Sequence, residues 1–210
     1  MNSELPARKP LRLRNFDYNS RGAYFITFCT HNKEKTLSQV IVGAIHESPA
    51  NELTERGWMV ERIIEQLPSR LGVKVDSYVI MPNHVHLLLS IGLDEQGRAI
   101  HESPLREENC RSAISKAIGY IKMNASKHIR AAFGGKDIWQ RGFHDHVVRN
   151  QKDYDMIAEY IQNNPAAWQK DCFYIAIIPE PFMCTMGDLV ATCSPQPWSR
   201  LIGLNTPNCT

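Results

Sequence analysis

Two histidines, His84 and His86, interrupt an otherwise apolar run, VIMPNHVHLLLS at 79–90. Side chains along a strand alternate faces, so residues two apart point the same way. Both imidazoles then share one face, while Val85, Leu87 and Leu89 take the other and can form core. Neutral imidazole is the commonest protein ligand for a metal. The pair also begins just after a Pro82-Asn83 turn, near a sheet end where a site can open. The plain alternative is two structural histidines with satisfied hydrogen bonds. Two imidazoles alone hold a metal poorly, and a short C-terminal helix offers more. Tyr160 and Asn164 are four apart and share a helix face, the amide inside the stripe of Ile157 and Ile161 and the phenol at its edge. Pro165 biases Asn164 away from helical dihedrals, so that geometry is approximate. His144 and His146, in FHDH, form a rival pair that could bind metal alone or share a zinc with the first. Tyr120 is the rival phenol, but it turns away from the apolar stripe of its own helix and reads as a surface tyrosine.

Apolar periodicity supplies the elements that carry these side chains. A strand is expected over 23–31, a helix over 54–71, strands over 73–81 and 84–91, a helix over 112–132 and a strand over 143–148. A short helix follows, capped by Asn150, with Tyr154, Ile157, Ala158 and Ile161 buried and Pro165 just past its end. The order β-α-β-β-α-β-α is that of a ferredoxin-like sandwich, an α+β fold whose antiparallel sheet carries its helices on one face. The hexapeptide AIHESP occurs at 44–49 and 99–104. Two copies are too few for a solenoid, so both are read as loop insertions, near 42–54 and 93–110. His46 and His101 would then be exposed and idle; a repeated His/Glu metal site is the sharper alternative. Residues 176–210 lack periodicity and are expected to be a poorly ordered tail, leaving one domain over 1–175.

At 43% hydrophobic, the 210-residue chain can bury a substantial core. It has no apolar run of about 18 residues and no signal-like apolar centre, so a soluble cytoplasmic protein without a membrane partner is expected. The six cysteines form no CxxC pair and are expected to be reduced thiols. A net charge of +2 hides a separation: residues 111–152 carry nine cations against Asp137 and Asp145, a local balance of +7. Arg8, Lys9, Arg12 and Arg14 make the start basic as well. Local basic surfaces on a nearly neutral chain suit a polyanion held in one place; a solvated helix face is the alternative.

Four segments carry a family resemblance: LRLRNFDYNSRGAYFITFCTHN near the start, VIMPNHVHLLL, IWQRGFHDHVVRN at 138–150 and EYIQNNPAAW at 159–168. In that order they resemble the REP-associated tyrosine transposases, relatives of single-tyrosine insertion-sequence transposases in the HUH endonuclease superfamily. The match covers most of residues 8–170 and leaves out both AIHESP loops, the tail and His144. The resemblance implies that His84-Val85-His86 is the His-hydrophobic-His element and that Tyr160, in Tyr160-Ile161-Gln162-Asn163-Asn164-Pro165, is the nucleophile. It also implies that Asn164 completes a site for Mg²⁺ or Mn²⁺. Trp139, Gln140, Arg141, Asp145, His146, Arg149 and Asn150 match further family positions, for which fold support and DNA contact are expected. DNA contacts are expected at Arg12, Arg14, Lys116, Lys122, Arg130, Arg141 and Arg149, the last as a phosphate partner. The implied activity is transposition: cutting and rejoining single-stranded or hairpin DNA, repetitive extragenic palindromes, through a 5′-phosphotyrosine. A monomer or homodimer associated with the nucleoid would do this. One alternative is a transposase-derived protein that binds hairpins without cutting. Others are replication initiation or plasmid relaxation, and a zinc hydrolase, which no Glu-containing zinc motif supports.

Overall fold

In a computed structural model, residues 20–41, 50–92, 112–135 and 137–174 are described. Arg12, Arg14, both AIHESP copies and the tail beyond 174 lie outside them. The elements run β1 (Gly22–Cys29), β2 (Ser38–Ile41), β3 (Ala50–Leu53), α1 (Glu55–Ile64), α2 (Leu67–Leu71), β4 (Val73–Ile80), β5 (His84–Ile91), α3 (Ala113–Phe133), β6 (His144–Val147) and α4 (Gln151–Asn163). Four strands form one sheet in the order β4-β5-β1-β6, with every pair antiparallel. This is a mixed α/β arrangement consistent in general terms with a ferredoxin-like sandwich. The centre is the β1–β5 pair, in register from Gly22↔Ile91 to Cys29↔His84.

Alternation along the central strands builds two cores. Tyr24, Ile26 and Phe28 of β1 and Val85, Leu87 and Leu89 of β5 face α1 and α3, meeting Val60, Ile63, Ile64, Ile114, Ile118 and Ile121. Phe25, Val79, Met81 and Leu88 face the other way and meet Ile157 and Ile161 of α4, with Trp168. The sequence led us to expect all helices on one face; instead α1 and α3 cover one face and α4 the other. Phe25, Met81 and Leu88 make the second face apolar as well, and α4 removes that face from water. The neutral-looking alternation of β5 thus becomes an eight-residue strand buried throughout.

Two further differences have local causes. The helix expected over 54–71 breaks after Ile64: Pro68 has no N–H to give and sits in the first turn of α2 instead. Gly72 then ends α2 with φ 63, a left-handed cap that costs glycine no Cβ clash. Residues 50–53, taken as part of an inserted loop, pair with 38–41 in a separate two-stranded sheet. The helix starts are capped as their residue types require. Thr54 Oγ1 accepts from Gly57 N at 3.2 Å, Ser112 Oγ from Ser115 N at 3.2 Å and Asn150 Oδ1 from Asp153 N at 2.9 Å. Among the described residues no helix is long and apolar enough to cross a membrane, and Cys29 and Cys172 are joined in no disulfide.

Candidate metal centre

The register of β1 and β5 puts Thr27 opposite His86 and Cys29 opposite His84. Both imidazoles lie on the α4 face, essentially without exposure, their rings 4.5 Å apart. Each is oriented through Nδ1. His86 Nδ1 is 2.7 Å from Thr27 Oγ1, and His84 Nδ1 is 2.9 Å from Asn83 Oδ1. Asn83 gives its amide N–H to the Phe173 carbonyl at 2.8 Å, which leaves Oδ1 as the acceptor. His84 Nδ1 must then carry the ring proton, so its Nε2 presents a bare lone pair. That Nε2 is buried with no partner.

Opposite the pair, α4 contributes two side chains on one face, as i,i+4 spacing requires. The Tyr160 hydroxyl lies 3.2 Å from His86 Nε2 and donates to Asp171 Oδ2 at 3.3 Å. Asn164 Nδ2 donates to the same carboxylate oxygen at 3.1 Å, while its Oδ1 is buried without a partner. The backbone N–H of Phe173 donates to Asp171 Oδ1 at 2.7 Å. Chain reversal after α4 thus brings a buried carboxylate to the two imidazoles. Ligand atoms of His84, His86 and Asp171 all lie within 4.8 Å of one another.

This donor set fits a divalent cation. Burying a polar atom without a partner costs about 1–3 kcal/mol, and His84 Nε2 and Asn164 Oδ1 are two such atoms beside a buried carboxylate. A cation among them would satisfy all three. Protonation states agree: burial, with the Lys33 charge nearby, pushes His84 down to about 3. Burial and the neighbouring imidazole hold His86 well below its ordinary value. Both rings are therefore neutral at physiological pH, the form that binds metal. Burial first, and then the charge of Asp171, push the Tyr160 phenol far above its ordinary value.

The structure brings together His84, His86, Tyr160 and Asn164. It also adds residues the sequence reading missed. Asp171 was invisible because WQKDCFY has no periodicity and no spacing that ties an acid to the histidines. Asn83 was read only as a turn residue, and Thr27 only as part of a strand. The rival pair does not join the centre: His146 Nε2 bonds Asp153 Oδ2 at 3.0 Å, an oxygen that also accepts from Arg149 N at 3.2 Å. These contacts tie β6 to the start of α4. Tyr120 donates to Gln66 at 3.0 Å, in the helical layer on the opposite face of the sheet. Lys116 and Arg130 are exposed on that same layer. Lys122 donates to the Gln140 carbonyl at 2.9 Å and to that of Gly142, and its ammonium lies 5.3 Å from the centre of the Phe28 ring. Arg141 and Arg149 are exposed.

Two buried neutral imidazoles on a central strand, facing a helix-borne phenol with a carboxylate beside them, define an α/β protein with a cluster able to chelate a metal and a candidate nucleophile next to it. No protein-family model matches the chain. It is 31% identical over 180 residues to a Haemophilus influenzae protein described only as uncharacterized, spanning 83% of this chain and 97% of that one. It is 24% identical over 184 residues, 87% of each chain, to a REP-associated tyrosine transposase of Escherichia coli K12. A solved structure of a REP-associated tyrosine transposase bound to a REP hairpin aligns with 75% of this chain and 73% of its own, at 20% identity and TM-score 0.49. The chain belongs to one family with the Haemophilus protein, and it is homologous, at modest identity, to the REP-associated tyrosine transposases.

Proposed function

We propose that this protein is a metal-dependent endonuclease and strand transferase for single-stranded or hairpin DNA, with Tyr160 as its nucleophile. The observation that carries this is the Tyr160 hydroxyl, 3.2 Å from His86 Nε2 and hydrogen-bonded to Asp171. Similarity to a REP-associated tyrosine transposase supports REP DNA as the substrate; a hairpin form of it and a cytoplasmic site of action are part of the same proposal.

His84 Nε2, His86 Nε2 and Asp171, with Asn164 Oδ1, would hold the ion, Mg²⁺ or Mn²⁺. When bound there, it would polarise a phosphodiester and offset charge developing on its oxygens. The chain's own residues do the rest. Asn83 and Thr27 fix the two rings through Nδ1, as outer partners of metal ligands commonly do. Ile157 and Ile161 anchor α4, so the phenol and amide are presented from a rigid helix. Tyr160 attacks phosphorus, forming a bond from its phenolic oxygen as the bond from phosphorus to the 3′ oxygen breaks. The phenolic proton leaves toward Asp171 Oδ2, which already accepts it as a hydrogen bond. The 3′ oxygen takes up that same proton from the Asp171 carboxyl and departs as a hydroxyl, which returns Asp171 to its carboxylate. The phosphotyrosine conserves the energy of the broken bond, so rejoining needs no nucleotide.

Labelled single-stranded palindromes incubated with Mg²⁺, Mn²⁺ or EDTA test the reading. Metal-dependent cleavage with a 5′-phosphate adduct mapped to Tyr160 is expected. Tight binding without cleavage would make this a hairpin-binding protein, and a cut without an adduct would make it a hydrolytic nuclease.

A further inference from the structure

We infer that a groove beside the metal centre seats a nucleotide flanking the bond that is cut; this rests on the DNA-cleaving reading above. The groove holds about 670 Å³ and is lined by Asn32, Lys33, Asp137, Trp139, Gln140 and Arg141, with His31. That volume falls within the range of about 300–1,000 Å³ typical of small-ligand sites.

Its walls are fixed by backbone bonds. His31 N donates to the Ile138 carbonyl at 3.0 Å, and Gln140 N to the Cys29 carbonyl at 3.0 Å. Lys122 holds the far side through the Gln140 and Gly142 carbonyls. Trp139 is half-buried and braced edge-on against Phe28 at 5.1 Å. The position is equally informative. The groove opens off the end of β1, where Cys29 pairs with His84. The Lys33 ammonium lies 5.6 Å from the centre of the Phe173 ring, and that ring is 4.5 Å from His84. A strand whose phosphate sits at the imidazoles therefore has its neighbouring nucleotide within reach of Lys33.

The wall chemistry selects the ligand class. Lys33 and Arg141 suit phosphate oxygens, and Trp139 supplies a braced aromatic on which a base can stack. Asn32 and Gln140 each offer a donor and an acceptor, and Asp137 only accepts. A site for bare phosphate would gain nothing from a carboxylate in its wall. A nucleotide brings exocyclic amino groups for Asp137 to accept, so a base bearing one is favoured over thymine.

The test uses a random-sequence single strand carrying 5-iododeoxycytidine, which keeps the exocyclic amino group, irradiated with the full chain in EDTA and mapped by peptide. Cross-links within residues 137–141 are expected. Gln140→Ala and Arg141→Ala, both exposed positions, should together weaken strand binding by about tenfold or more, with circular dichroism and metal affinity unchanged. Cross-links confined to other segments, with both variants binding as wild type, overturn the groove while leaving cleavage by Tyr160 standing. A strand held in the groove but never cut overturns the cleavage reading instead. Absence of strand binding overturns both.

Discussion

Lowering the pH of the metal-free protein should unfold it through its own histidine pair. His84 ionises near 6.5 in an unfolded chain and near 3 in the fold, because burial and Lys33 disfavour its charged form. As pH falls below 6.5 the unfolded chain takes up a proton that the native site refuses. Stability is therefore fully present above that value and declines continuously toward about 3, where the native ring would also charge. The loss from His84 alone is roughly 2 kcal/mol at about pH 5 and roughly 3 kcal/mol at about pH 4. His86 is shifted the same way, chiefly by burial, and adds with the same sign. Against a domain stability of about 5–15 kcal/mol, the two rings together account for a large share. Urea unfolding followed by far-UV circular dichroism, in EDTA at stepped pH, measures the slope directly. His84→Asn should flatten it whatever the variant does to absolute stability. A wild-type stability flat between pH 7 and 5, or an imidazole resonance of His84 titrating near its ordinary value, would refute the claim that the pair is buried neutral.

Tyr160→Phe removes a hydroxyl whose contacts to His86 and Asp171 are long, 3.2 and 3.3 Å, so stability should change by no more than about 1 kcal/mol. The covalent adduct on a denaturing gel should vanish. Asp171→Asn keeps the volume and removes the anionic ligand; calorimetric titration with Mn²⁺ should show affinity weakened about tenfold or more. Gly57→Ala would place a Cβ 2.1 Å from the Leu37 carbonyl oxygen, forcing the start of α1 off the backbone it rests on. A loss of about 2 kcal/mol or more in thermal or urea melts is expected.

How far the sequence could be read depends on whether a residue's environment is local. The limits of β5 at 84–91 followed from alternation and the Pro82-Asn83 turn, both contained in one short window. The cap at Asn150 and the stripe of Ile157 and Ile161 fixed α4 in the same way, and with it the shared face of Tyr160 and Asn164. Which face of the sheet α4 would cover was not local. It depended on Phe25, Met81 and Leu88, three apolar residues from three separate segments that become one surface only after pairing. The break between α1 and α2 was visible in Pro68, but the apolar spacing across it imitates one helix. Asp171 was the least accessible of all. Its partners Asn164 and Tyr160 lie on α4, but the histidines that give it meaning lie on β5, more than eighty positions earlier.

On the proposed reading, that carboxylate would also keep the centre quiet without metal. With both imidazoles neutral, the charge of Asp171 is the nearest to the Tyr160 phenol, and after burial it is the main influence holding that phenol protonated. The same negative charge would draw a divalent cation to the site, and two positive charges there would outweigh one negative charge. The sign of the local field at the phenol would then reverse, favouring the phenolate that attack requires. A neutral residue at 171 would lose both effects: the metal-free phenol would be less suppressed, and the cation less strongly held. A cation at 171 would repel the metal outright. Of these choices, only an acid would make the readiness of the proposed nucleophile conditional on the ion.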